Sequence, residues 1–186
     1  MSPSPYFTIP FLLVVAILQS AAAPRLQVSG ARPDLMLLSV VSWSLLAAFR
    51  ARELQYAGEP PSLLRGINDG VIWGFVGGIS MDLLSTAPLG AHALALMVAA
   101  LVVGMIGVRV GGVALIMIAV MPLIATPIYH LVFLTELALT GRPIFLDAYF
   151  NRIILPSVLF NLALVPVVYV FLYLIDRRTA RARLEW

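Results

Sequence analysis

The stretch Gly66-Ile67-Asn68-Asp69-Gly70-Val71-Ile72-Trp73-Gly74-Phe75-Val76-Gly77-Gly78-Ile79-Ser80-Met81-Asp82 sets a glycine at every fourth position from Gly66 to Gly78 and ends that row on Asp82. Steps of four follow one face of an α-helix with a slow sideways drift. Glycine on such a face lets a second helix approach closely, the small-xxx-small contact of membrane bundles. A carboxylate at the end of the row is costly in lipid and marks a group placed for a purpose. The row is longer than one internal contact needs. Gly70, Gly74, Gly78 and Asp82 are therefore a candidate face for a partner helix.

The whole chain reads as lipid-embedded. Of its 186 residues, 61% are hydrophobic and 11% charged, whereas soluble domains carry about 25% charged residues. The length suits a single domain spanning residues 1–186. Cysteine is absent, which excludes disulfides and thiol chemistry. A pI near 9.7 comes from arginines in short loops and a tail. That pattern is the one membrane topology requires, and it does not call for a nucleic-acid partner.

An apolar run of about 20 residues can cross a bilayer as a helix. Six candidate spans follow, at about 6–23, 34–49, 67–87, 91–108, 112–139 and 153–175. The third is ended by Pro88; the fifth is interrupted by Pro122 and Pro127, which remove backbone bonds and kink helices. Ala21-Ala22-Ala23 resembles a signal-peptide cleavage site, but residues 1–5 lack the basic side chain such a signal carries, so the first span is expected to be retained. With the N-terminus inside, the cytoplasmic side holds Arg50, Arg52, Arg65, Arg109, Arg177, Arg178, Arg181 and Arg183; the outer side holds Arg25, Arg32, Arg142 and Arg152. This bias predicts both termini in the cytoplasm. The segment from Arg50 to Arg65 is expected along the membrane surface. The aromatics Phe145, Tyr149 and Phe150 suit the outer headgroup level.

Four of the spans carry polar side chains at a similar outer level: Asp82, His92, His130 with Thr126 and Tyr129, and Asn161. Asp82 needs hydrogen-bond partners, from His130, Asn161 or the amides of the Ser85–Gly90 turn. Such a cluster can hold helices in register, or it can form part of a proton or ion path, although the latter would want more core carboxylates than Asp82. Two histidines on separate helices do not make a metal site without a third ligand, which Asp82 could in principle supply. For catalysis, Gly78-Ile79-Ser80-Met81-Asp82 lacks the last glycine of G-x-S-x-G, no H-E-x-x-H occurs, and no nucleophile is paired with a base. Neither an enzyme nor a cofactor is expected.

Gly74-Phe75-Val76-Gly77-Gly78-Ile79-Ser80-Met81-Asp82-Leu83-Leu84-Ser85-Thr86-Ala87-Pro88-Leu89-Gly90 resembles the signature of the bacterial rod shape-determining MreD family, G-F-x-x-G-x-x-x-D-x-x-S-x-x-P-x-G, with Pro88 and Gly90 in its turn. Pro33-Asp34-Leu35-Met36-Leu37-Leu38, the chain's size and its six-span layout are similar as well. The resemblance implies a non-catalytic scaffold of the bacterial cell-elongation complex in the cytoplasmic membrane. Its direct partner would be the single-span protein MreC, with MreB, RodA and a class B penicillin-binding protein in the same assembly for peptidoglycan synthesis and cell shape. It also implies an all-α fold of six transmembrane helices, similar to the substrate-binding subunit of energy-coupling-factor vitamin transporters. The rival reading follows from that likeness: a vitamin-like ligand in an outer cavity lined by Asp82, His92, His130 and Asn161.

Overall fold

A computed structural model of the chain describes residues 5–21, 32–56, 63–110, 114–141 and 146–182. Its elements are α1 (Pro5–Ala21), α2 (Leu35–Tyr56), α3 (Leu63–Leu83), α4 (Ala91–Arg109), α5 (Ala114–Leu139), the single turn α6 (Leu146–Tyr149), a π turn (Phe150–Ile154) and α7 (Leu155–Ala182). No strand occurs among the described residues. Four helical stretches are long and apolar enough to cross a membrane: Leu35–Tyr56, Ala91–Arg109, Ile116–Leu139 and Asp147–Arg178. They suggest a membrane-embedded protein. Besides these, α1 is a shorter apolar helix, and α3 carries Arg65, Asp69 and Asp82 within its 21 residues.

α2 is the axis of the bundle. Every side chain from Met36 to Ala48 is buried, and α2 touches α1, α3, α4, α5 and α7. With no polar stripe to keep in water, α2 can be covered on all sides. Its serines are compatible with this site because two of them spend their hydroxyls on the preceding turn: Ser39 Oγ donates to Leu35 O and Ser44 Oγ to Val40 O, both at 2.8 Å. Trp43 of α2 stacks on Trp73 of α3, centroids 4.4 Å apart and planes 9° apart. Phe11 of α1 also meets the Trp73 ring, tilted by 42° with centroids 5.6 Å apart. By contrast α7 is peripheral, showing Leu159, Val167, Val170 and Phe171 to its surroundings.

Several boundaries differ from the sequence expectation. α2 does not stop at Phe49 but continues to Tyr56, because its arginines have partners within the bundle. Arg50 pairs with Asp176 of α7, and Arg52 Nη1 donates to the carbonyl of Arg109 at the end of α4, at 2.9 Å. Arg50–Tyr56 is therefore helix, not a surface loop. α3 spans Leu63–Leu83 and gives way to a turn at Leu84. α5 runs unbroken through Pro122 and Pro127; neighbouring helices make such losses tolerable. Residues 1–4, 22–31, 57–62, 111–113, 142–145 and 183–186 lie outside the described residues. Arg25, Gly111, Gly112, Arg142, Phe145 and Arg183 fall among them.

The glycine row is not an open face. A Cβ on Gly66 or Gly70 would meet α2, at Ala47 O (2.8 Å) and Ser44 Oγ (2.3 Å). One on Gly74 would meet the Leu96 backbone of α4 at 2.9 Å, and one on Gly78 would lie 2.1 Å from Ala93 Cα. Gly70, Gly74, Gly78 and Asp82 are all buried. The expectation of a partner helix on this face is therefore corrected: the slow drift of the row hands its first half to α2 and its second half to α4, and no room remains. The outward side of α3 is instead the row of Asn68, Ile72 and Phe75.

Candidate functional site

Polar groups gather at one end of the bundle, where α1, α3 and α5 finish and α2, α4 and α7 begin. They form two networks with a cavity between them.

The first network belongs to the α3–α4 hairpin. Asp82, in the last turn of α3, accepts the backbone amides of Gly90 (2.9 Å), His92 (2.9 Å) and Ala93 (3.3 Å). It also accepts the His92 ring through Nδ1 at 2.7 Å. The first amides of a helix have no partners within it, and here a carboxylate from the neighbouring helix supplies them. Gly90 makes this possible. It stands at φ 102, ψ −17, a left-handed conformation that glycine adopts without a Cβ penalty, and so turns α4 back onto Asp82. The turn itself is held by Ser85, whose Oγ accepts from the Ala87 amide at 3.2 Å, and by Pro88, whose carbonyl accepts from the Ala91 amide at 3.2 Å.

The second network joins α1, α2, α5 and α7. Gln19 Nε2 donates to Asp34 Oδ1 and to Pro33 O, both at 3.1 Å, and its Oε1 accepts the Leu35 amide at 2.7 Å. Asn161 Oδ1 accepts the Asp34 amide at 3.0 Å, and its Nδ2 donates to Thr126 Oγ1 at 3.0 Å. The start of α2 is thus fixed by two side-chain amides from two other helices. His130 Nε2 stands 3.7 Å from Asp34 Oδ2, beyond hydrogen-bond distance, and is buried without a partner among the described residues.

The expected outer cluster is therefore divided. Asp82 and His92 belong together, whereas Asn161 accepts the Asp34 amide and His130 faces the Asp34 carboxylate without bonding to it. Asp82 contacts neither His130 nor Asn161. Tyr149 also departs from expectation: α6 and the π turn carry its side chain inward, half-buried, with its hydroxyl 3.5 Å from His130 Nδ1 and its ring edge-on to the imidazole at 5.9 Å. A headgroup position fits Phe150 better, which is 52% exposed.

Between the networks lies a cavity of about 370 Å³. Arg32, Asp34, His130, Tyr149 and Ser157 line it on one side; Ser85, Thr86 and His92 line it on the other, with Tyr129, Phe133 and Met81 as an aromatic and apolar wall. Neither Asp82 nor Asn161 reaches it. Gln19 was not singled out by spacing or motif; Asp34 entered only within the Pro33–Leu38 resemblance and Arg32 only as an outer arginine. The available signal was a glutamine near the end of an apolar helix and a carboxylate at the start of the next, two polar groups with no reason to be there unless they meet. No group of three or more histidine and carboxylate side chains among the described residues is arranged to hold a metal ion.

The chain matches no family model, no curated protein and no solved structure.

Proposed function

We propose that the chain is a non-catalytic membrane scaffold of the MreD type, which binds the single-span protein MreC in the bacterial cytoplasmic membrane and so takes part in cell elongation and peptidoglycan synthesis. One observation carries this reading. The residues of the resembling motif meet in one hairpin: Gly74 and Gly78 admit the α4 backbone, Asp82 caps α4, Ser85 and Pro88 fix the turn, and Gly90 reverses the chain. These residues are spent on packing and capping within the hairpin, which fits a structural rather than a catalytic role for the motif. None of these residues is left over for chemistry. In this reading α1 to α5 and α7 are six spans, the fold is similar to that of vitamin-transporter substrate-binding subunits, the Asp34 end faces outward and both termini are cytoplasmic. MreB, RodA and a class B penicillin-binding protein join through the assembly.

With the glycine row closed, MreC must meet an outward face. The test is co-purification of the full chain with MreC in mild detergent, followed by cross-linking from single cysteines introduced at Ile72, Phe75, Leu159 and Val170, all more than half exposed or at 50%. The native chain has no cysteine to interfere. Stable recovery of MreC with cross-links confined to one face supports the scaffold. Failure to recover MreC from cells expressing both proteins overturns it. Labelling of cysteines at Thr140 and Tyr56 from opposite sides of intact cells tests the orientation.

A further inference from the structure

We propose that the cavity at the Asp34 end binds a small zwitterion of the phosphoethanolamine type, its primary ammonium on Asp34 and its phosphate on Arg32. This inference does not rest on the scaffold reading. At about 370 Å³ the cavity lies at the small end of the range for ligand sites. Its two charged lining groups have opposite sign and different depth. Arg32 is exposed and forms part of the rim, where a guanidinium can take a phosphate through two parallel hydrogen bonds. Asp34 sits deeper, its side chain 14% exposed.

The two oxygens of Asp34 are used unequally. Oδ1 is satisfied by Gln19. Oδ2 accepts no hydrogen bond among the described residues, and the partnerless His130 Nε2 waits 3.7 Å away. Asp34 lines the cavity with this oxygen unfilled, and the imidazole nitrogen beside it is buried without a partner, a costly state for the nitrogen unless something completes it. An ammonium group has three donors. Seated on Oδ2, it satisfies the carboxylate, and a small ring rotation brings the neutral imidazole onto the same group. Tyr129 and Phe133, stacked at 6.1 Å, offer aromatic surface to a cation beside them. At the end of a bundle of apolar helices, the rim lies where phospholipid headgroups are found, so the zwitterion is either a lipid headgroup or the free molecule.

The test is calorimetric titration of the detergent-purified full chain with O-phosphoethanolamine, ethanolamine, inorganic phosphate and phosphocholine. O-phosphoethanolamine should saturate and bind at least about tenfold more tightly than any of the other three, since each lacks one charge or the N–H donors. Asp34→Asn should weaken O-phosphoethanolamine and ethanolamine alike. Arg32→Gln, at an exposed position where folding is not at stake, should weaken O-phosphoethanolamine and leave ethanolamine unchanged. Tryptophan fluorescence from the Trp43–Trp73 stack reports whether Asp34→Asn is folded, and Arg109→Ala at the opposite end should bind as the wild type does. Nanodiscs of phosphatidylethanolamine against phosphatidylglycerol separate the sources. Protection of the cavity by the former supports a headgroup; binding of the free compound alone supports a soluble ligand. The proposal is overturned if no probe saturates, if phosphocholine or phosphate binds as well as O-phosphoethanolamine, or if folded Asp34→Asn keeps full affinity.

Discussion

The Asp82 carboxylate holds His92 twice, accepting its backbone amide at 2.9 Å and its ring Nδ1 at 2.7 Å. A side chain at the end of one helix thereby caps the start of the next. Asp82 and His92 are both buried, so the amides that the carboxylate accepts have little access to water, and leaving them unpaired is costly.

Removing the acceptor should leave the first turn of α4 unpaired. Asp82→Ala is expected to lower stability by about 2 kcal/mol or more, and Asp82→Asn by less, because the amide keeps one acceptor oxygen. Thermal unfolding in detergent, followed by tryptophan fluorescence, measures both. Equal and negligible shifts would show that the cap is not what fixes the hairpin.

Glycine contacts along α3 make a graded prediction. At Gly78 a methyl group would lie 2.1 Å from Ala93 Cα, a backbone atom that cannot step aside. At Gly104 the nearest atom is Ile67 Cα at 3.4 Å, an ordinary contact. Gly78→Ala should cost about 1–3 kcal/mol through overpacking. Gly104→Ala should be neutral or stabilising, since alanine favours a helix over glycine by about 1 kcal/mol. The same unfolding assay ranks them, and a reversed order would contradict the α3–α4 packing.

How much of this was legible beforehand depends on whether a feature is local. The apolar runs mark the helices because hydropathy is a property of consecutive residues. The close approach at Gly74 and Gly78 could also be read, since four-residue spacing sets them on one face. What occupies that face could not be read: spacing is the same for a helix of the same chain and a foreign one. The division of the polar cluster was hidden for a related reason. Asp82, His92, His130 and Asn161 share a depth, but pairing depends on rotation about each helix axis. It is the rotation of α5 and α7 that turns His130 and Asn161 toward Asp34. Tyr149 was hidden by the π turn, which no periodicity announces.

At the opposite end Arg50 of α2 pairs with Asp176 of α7 while its guanidinium lies over the Trp43 ring, 5.7 Å from the centroid. The two side chains are 27% and 19% exposed, between the surface and interior extremes for ion pairs. Asp176→Asn should therefore cost about 1–3 kcal/mol, more than a surface pair and less than a fully buried one. A double-mutant cycle of Arg50→Gln with Asp176→Asn should give a coupling of about 1 kcal/mol. No measurable coupling would mean that the contact is incidental to the docking of α7.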